Sequence, residues 1–210
     1  MGLFDFIGKK KTQEVEVSAP DRDSWSTYKE KLFEKMPFLS ETLRDGVSPE
    51  RITEVEKEIG TQFTEELRKL YLTNDGDTNE AMCGMMLGFH FLSFDELIRE
   101  VQSMKSIQEY SDKKWIPFSS DGSGNFIAVD PEPDTDGRTG RVINFGRDEK
   151  EVTVLADSLG ALFERFTRIV CSADFFIGEY DGEEVILLGT DDVDEGSYLT
   201  DYLKSEDSVK

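Results

Sequence analysis

The sequence predicts an α+β domain in which a mainly antiparallel sheet packs with helices. Three observations predict it. Apolar residues recur at helical spacing, between clear start and stop signals, from Ser24 to about Asn74. The period falls to two between Trp115 and Leu155, in short runs separated by turn residues. A final helical run carries Leu159, Leu162, Phe163, Phe166, Ile169 and Val170 on one face.

The elements follow in order. The first helix spans about Ser24 to Leu39, with Trp25, Tyr28, Leu32, Phe33 and Met36 at helical spacing; Pro37 kinks or breaks it near the end, and Asp45-Gly46 closes the segment. The second has Ser48 as N-cap and Pro49 in the first helical position, where no backbone N–H is needed. Ile52, Val55 and Ile59 form its buried stripe, and Gly60 supplies the left-handed residue that ends it. A third helix follows Thr64, turns Leu67, Leu70 and Tyr71 inward, and stops at Asn74-Asp75-Gly76. Met82 to Leu92 is mostly apolar with two glycines and reads as one or two short strands. Ser93 and Glu96 form a capping box for a helix that buries Phe94, Leu97, Ile98 and Val101.

Trp115-Ile116-Pro117-Phe118 reads as a short edge strand, because proline cannot donate to a ladder. Asp121 to Asn125 is a turn, and Phe126 to Val129 a strand. Residues 130–140 form an acidic loop rich in proline and glycine; Arg141–Phe145 and Val152–Leu155 are further strands around the turn 146–150. Ser158 caps the last long helix. Asp181-Gly182 then joins Phe175–Tyr180 to Val185–Leu188 as a hairpin, with a charged remainder on the surface. The organisation expected is an N-terminal segment and linker (1–22), one domain (23–173) and an acidic C-terminal extension (174–210).

Composition narrows the function. Of 210 residues, 24 are Lys or Arg and 45 are Asp or Glu, for a formal charge of -21. Such a surface opposes nucleic-acid binding, which requires cations against phosphate. The excess is uneven: residues 1–22 are neutral, and residues 174–210 carry 12 acids against two bases. No apolar run reaches the roughly 18 to 20 residues that cross a bilayer, and Asp5 interrupts an N-terminal patch already too short for a secretory signal. Leu3, Phe4, Phe6 and Ile7 fall on one side of a short helix ahead of three lysines. That segment reads first as one that packs on the domain or frays, and second as a membrane contact through residues 3–11.

Cys83 and Cys171 lie among apolar neighbours and read as buried free thiols in a reducing cytoplasm. With His90 they give three ligands, one short of a structural zinc site built of His and Cys. A Cys83–His90 catalytic pair has no visible orienting group. Glu132 to Gly137 imitates the start of a calcium loop, but its twelfth position is Ile143 where a carboxylate is needed. Gly122 and Gly124 start a dinucleotide fingerprint whose third glycine is Ile127. No catalytic constellation emerges, and the expectation is a non-enzymatic protein without cofactor or metal.

Several runs, read in order, resemble one family. They are Ile52-x-x-Val55-x-x-x-Ile59-Gly60 with Phe63, Leu67, Leu70-Tyr71 and Asn74-Asp75-Gly76; Leu92 to Leu97; Trp115 to Phe118 with Asp121-Gly122-x-Gly124-Asn125-Phe126 and Asp130; and Gly140-x-Val142 with Ala156-x-Ser158-Leu159-x-x-Leu162-Phe163. Together they resemble the SUKH superfamily, typified by the fungal SMI/KNR cell-wall regulators and by bacterial immunity proteins. The resemblance covers roughly residues 45 to 170. It departs where the family usually has Leu-Pro after the first glycine and this chain has Phe63-Thr64.

The resemblance implies an α+β fold, no cofactor and function by protein contact. The lead expectation is an immunity protein whose acidic surface occludes a basic toxin. The alternative is a regulatory scaffold in cell-wall or envelope synthesis. The residues expected to meet the partner are the acidic loop Asp130, Glu132, Asp134 and Asp136 beside Asp121, with Asp191, Asp192 and Asp194 in the C-terminal extension.

Overall fold

The computed structural model describes residues 23–189, apart from Asn79 and Met82, and residues 199–208, of which 204–208 are described as backbone only. The helices begin where their caps dictate. Asp23 accepts from the Ser26 N–H at the head of α1 (Ser24–Lys35). Ser48 does the same for α3 (Pro49–Ile59), and Gly60 ends that helix at φ 76°. Thr64 caps α4 (Glu65–Thr73), and the Ser93–Glu96 box caps α5 (Phe94–Ser106). Ser158 caps α6 (Leu159–Val170).

Pro37 breaks the first helical run rather than kinking it. α1 stops at Lys35, Met36 leaves the helical conformation, and a single turn, α2 (Leu39–Thr42), resumes beyond.

Five antiparallel strands form a meander in the order β1 (His90–Phe91), β2 (Ile116–Ser120), β3 (Asn125–Asp130), β4 (Arg141–Gly146) and β5 (Thr153–Ala156). The sheet is buried on both faces, and the alternation of side chains sorts them. Ile127, Val129 and Val142 join the main core with α1, α3, α4 and α6. Ala128, Ile143 and Phe145 point the other way, under Met104, Tyr110 and Trp115. Trp115 is partly buried and packs against the smaller cluster, 5.0 Å from the Phe145 ring. The main core is dense in aromatics: Trp25 lies 4.9 Å from Phe163, and Tyr71 lies 4.3 Å from Phe94.

The structure differs from the sequence reading in four places. Residues 83–89 form a buried knot of turns rather than strands. Leu87, Gly84 and Gly88 have positive φ, and a Cβ on Gly84 would sit 2.3 Å from the Phe89 carbonyl oxygen. The Asp77 carboxylate holds the knot by accepting the Met85 and Phe91 N–H groups. β2 lies inside the sheet rather than at its edge, but β1 pairs only with Ser119 and Ser120, and the ladder shifts register beside Pro117. Cys171 is exposed, because it caps the end of α6 beyond the buried stripe; Cys83 is buried. The charged remainder contains α7 (Leu199–Ser208), whose Leu199 and Leu203 enter the main core.

The hairpin expected at Asp181-Gly182 is β6 (Phe175–Tyr180) with β7 (Glu183–Leu188). Both turn residues have positive φ, 53° and 84°, as a two-residue hairpin turn of this twist requires. No helix of the described residues is long and apolar enough to cross a membrane.

Candidate interaction surface

Two turns at one end of the sheet build a cleft. In the β2–β3 turn, Asp121 Oδ1 accepts the N–H groups of Ser123 (2.7 Å) and Asn125 (3.0 Å), while Oδ2 accepts from Asn125 Nδ2 (2.6 Å). Asn125 then reaches the β4–β5 turn. Its Nδ2 donates to Asp148 (3.1 Å), and its Oδ1 accepts the Asp148 N–H (2.9 Å). The two turns approach closely at Gly146, where a Cβ would lie 2.5 Å from Asn125 Cα. Asn125, together with the backbone bond from the Arg147 N–H to the Gly124 carbonyl (3.0 Å), thus fixes both turns relative to each other.

Against these turns stand the 83–89 knot, β7 and the start of α7. They enclose a cleft of about 530 Å³. Cys83, Leu87, Phe89, Ile186 and Leu188 supply apolar lining; Asp121, Asp148, Glu149 and Asp201 supply carboxylates, and Arg147 a cation. Arg147 lies 3.4 Å from Asp148, with both side chains largely exposed. The hydrogen bond from Asn125, and then Arg147, hold the Asp148 carboxyl below the usual aspartate range. An apolar floor with a carboxylate rim suits a segment that carries apolar side chains and a cation.

The cleft is not a nucleophilic site built on its cysteine. Burial pushes the Cys83 thiol up to about 11, so it keeps its proton at neutral pH. His90 turns to Asp77, its Nδ1 3.5 Å from the carboxylate.

The residues singled out from sequence do not share one surface. Asp121 lies at the end of the sheet where β2 turns into β3; the 131–140 loop lies at the other end, where β3 turns into β4. The six residues of β3 separate them, by roughly 16 Å at about 3.3 Å per residue. Asp121 is therefore not beside the loop.

Within the loop, Asp130 is buried, pairs with Arg141 at 2.9 Å and accepts the Glu132 N–H. Asp134 accepts the N–H groups of Asp136 and Arg138 and pairs with the Arg138 side chain; the Arg138 N–H is the main cause of its lowered pKa. Arg138 also reaches Asp136 and Asp157, and Glu132 lies 3.6 Å from Lys114. Asp134 as a calcium ligand would have to give up these bonds, and Ile143 is buried in β4. Asp191, Asp192 and Asp194 lie outside the described residues. Among the described residues, no group of three or more His, Cys, Asp or Glu is arranged to hold a metal ion.

Sequence reading missed Asp148, Glu149 and Asp201 as cleft residues. The signal available was the run Phe145-Gly146-Arg147-Asp148-Glu149, a strand end followed by a charged turn. Nothing local to α7 pointed to Asp201.

The fold and cleft define an α+β domain built on a short antiparallel meander with an acidic cleft at one end. The chain belongs to the SMI1/KNR4 family (SUKH-1), whose sequence model matches residues 46–165. That span closely follows the resemblance read from the motifs and holds both cleft-forming turns. The chain is 24% identical, over 81% of its length, to "KNR4/SMI1 homolog 2" of Debaryomyces hansenii. It is 20% identical over 69% of its length to "Cell wall assembly regulator SMI1" of Saccharomyces cerevisiae. It is likewise 20% identical over 74% to "Glucan synthesis regulatory protein" of Neurospora crassa. In each case it spans 39% of the relative's length.

Proposed function

We propose that this chain is a regulatory interaction domain in cell-wall or glucan assembly, and that it binds a basic, partly apolar segment of a protein partner in the acidic cleft. The printed names of the relatives support the regulatory part: they are regulators of wall assembly and of glucan synthesis. They favour this alternative over the immunity reading, and a basic toxin as partner has no support among them. One observation carries the cleft as the contact. Its two turns lie within the family-matched span and are fixed to each other by Asn125 and by the Arg147–Gly124 backbone bond, so this wall of the cleft is formed before any partner arrives.

The mechanism is contact without chemistry. The net charge of -21 speeds encounter with a cationic segment. The apolar floor, desolvated on binding, sets the off-rate. Deletion of the gene in its native host tests the function. The expected result is altered wall polysaccharide content and greater sensitivity to wall-binding dyes. Wild type should restore both, and a variant with Asp121, Asp148 and Asp201 each changed to Asn should not. An unchanged wall, together with growth arrest only beside toxin-delivering neighbours, would overturn the reading in favour of immunity.

A further inference from the structure

A second concavity lies on the opposite kind of surface, among helices. α1, α4 and α6 flank a groove of about 870 Å³ whose floor is Trp25, Leu70, Leu159 and Phe163. Leu72 stands at its side 43% exposed, a large apolar side chain that none of the described residues covers. Gly160 keeps one wall low; a Cβ there would come within 3.1 Å of Glu66 Oε1. Asp23, the residue at which the described chain begins, is itself part of the groove wall.

We propose that the chain's own N-terminal segment occupies this groove, with Leu3, Phe4, Phe6 and Ile7 against Leu72 and the aromatic floor. Four features converge on that occupant. The segment carries a cluster of large apolar residues. Its covalent attachment enters at the groove wall. Residues 8–22 give fifteen residues of reach, up to about 50 Å when extended, so the cluster can return to the groove. Lys9, Lys10 and Lys11 follow the cluster, and the acids Asp23, Glu66 and Glu164 outnumber the cations Lys69 and Arg168 in the groove lining. Tethering also raises the effective concentration to roughly the millimolar range, so a weak contact is enough to keep the groove covered. A covered groove and a membrane contact through residues 3–11 compete for the same side chains.

Disulfide trapping in the full chain tests this. In a Cys171→Ser background, Phe4→Cys is combined with Leu72→Cys, or with Tyr180→Cys on the exposed turn of the β6–β7 hairpin as control. The 4–72 bond should form at least tenfold faster than the 4–180 bond, at a rate independent of protein concentration. Equal rates, or bonds formed only between molecules, would overturn the proposal. A second measurement avoids new cysteines: Phe4→Asp with Phe6→Asp should shift the amide resonances of Leu70, Leu72, Gly160 and Thr167. No shift there overturns it. Sedimentation with phosphatidylcholine–phosphatidylglycerol vesicles completes the test. Wild type should stay in the supernatant; co-sedimentation lost with Phe4→Asp would assign the segment to a lipid surface instead.

Discussion

The two ends of the five-stranded sheet carry similar acidic sequence and use it differently. At the β3–β4 end, Asp130 is buried against Arg141, and Asp134 is enclosed by its own loop and Arg138. Those carboxylates hold a long connection in one shape. At the β2–β3 and β4–β5 end, Asp121 also holds its turn, but Asp148, Glu149 and Asp201 line a cleft with an apolar floor. The lesson is that acid count does not locate an interface. Asp148 is paired as well, with Asn125 and Arg147, so pairing alone does not separate the two ends; the apolar floor beside the cleft carboxylates does.

The comparison can be broken by substitution. The largest effect is expected at Asp130→Ala. It leaves Arg141 partly buried without its carboxylate, and should cost about 3 kcal/mol, the lower end of the range for breaking a buried pair. Chemical denaturation would report it as a lower midpoint at constant slope. A loss under about 0.5 kcal/mol would mean that this pair is not structural. Next is Asn125→Ala, which removes the side-chain bonds tying the two cleft turns together. About 2 kcal/mol is expected, with faster hydrogen exchange at the Asp148 amide. Exchange unchanged from wild type would mean that the turns hold each other without it.

A smaller effect on stability but a larger one on binding is expected at the cleft rim. Asp148→Asn with Asp201→Asn should leave the denaturation midpoint close to that of wild type, because both carboxylates are exposed to solvent. It should slow partner association several-fold at low salt, and less as salt rises. Glu132→Gln with Asp136→Asn at the other end should leave association unchanged. The reverse pattern in stopped-flow measurements would move the interface to the loop.

The smallest effect concerns pH, and its sign is the same at both ends. Asp134 and Asp148 have folded pKa values below their unfolded ones, from the Arg138 N–H and the Asn125 side chain respectively. Their stabilisation is complete above the ordinary aspartate value of about 3.9 and is lost as pH falls through the lower folded values. Carboxyl-carbon titration by NMR should give midpoints below about 3.9 for both. A midpoint at or above that value for either would remove its hydrogen bonds from the account.

The features set by near neighbours in the chain are legible in the sequence. Ser48-Pro49, Thr64, Ser93 with Glu96, and Ser158 mark helix starts because each cap is closed by groups three residues away. The Asp181-Gly182 hairpin was legible for the same reason. The 83–89 knot was not. Its apolar run looks like a strand, and its shape depends on a carboxylate at Asp77 and on backbone contacts to Phe89. The cleft was half legible: Asp121 stood out, while Asp148 and Asp201 come from elements that meet only in space.

The sequence by itself determined the α+β class, most helix boundaries, the meander and the negative charge, because periodicity, caps and turns act within a few residues. Tertiary structure decided which acids stand beside an apolar cleft, that the two acidic regions lie at opposite ends of β3, and that Leu199 and Leu203 belong to the core. Those outcomes depend on strand order and on pairing between residues far apart in the chain, and no local pattern encodes a partner that arrives from the other side of the fold.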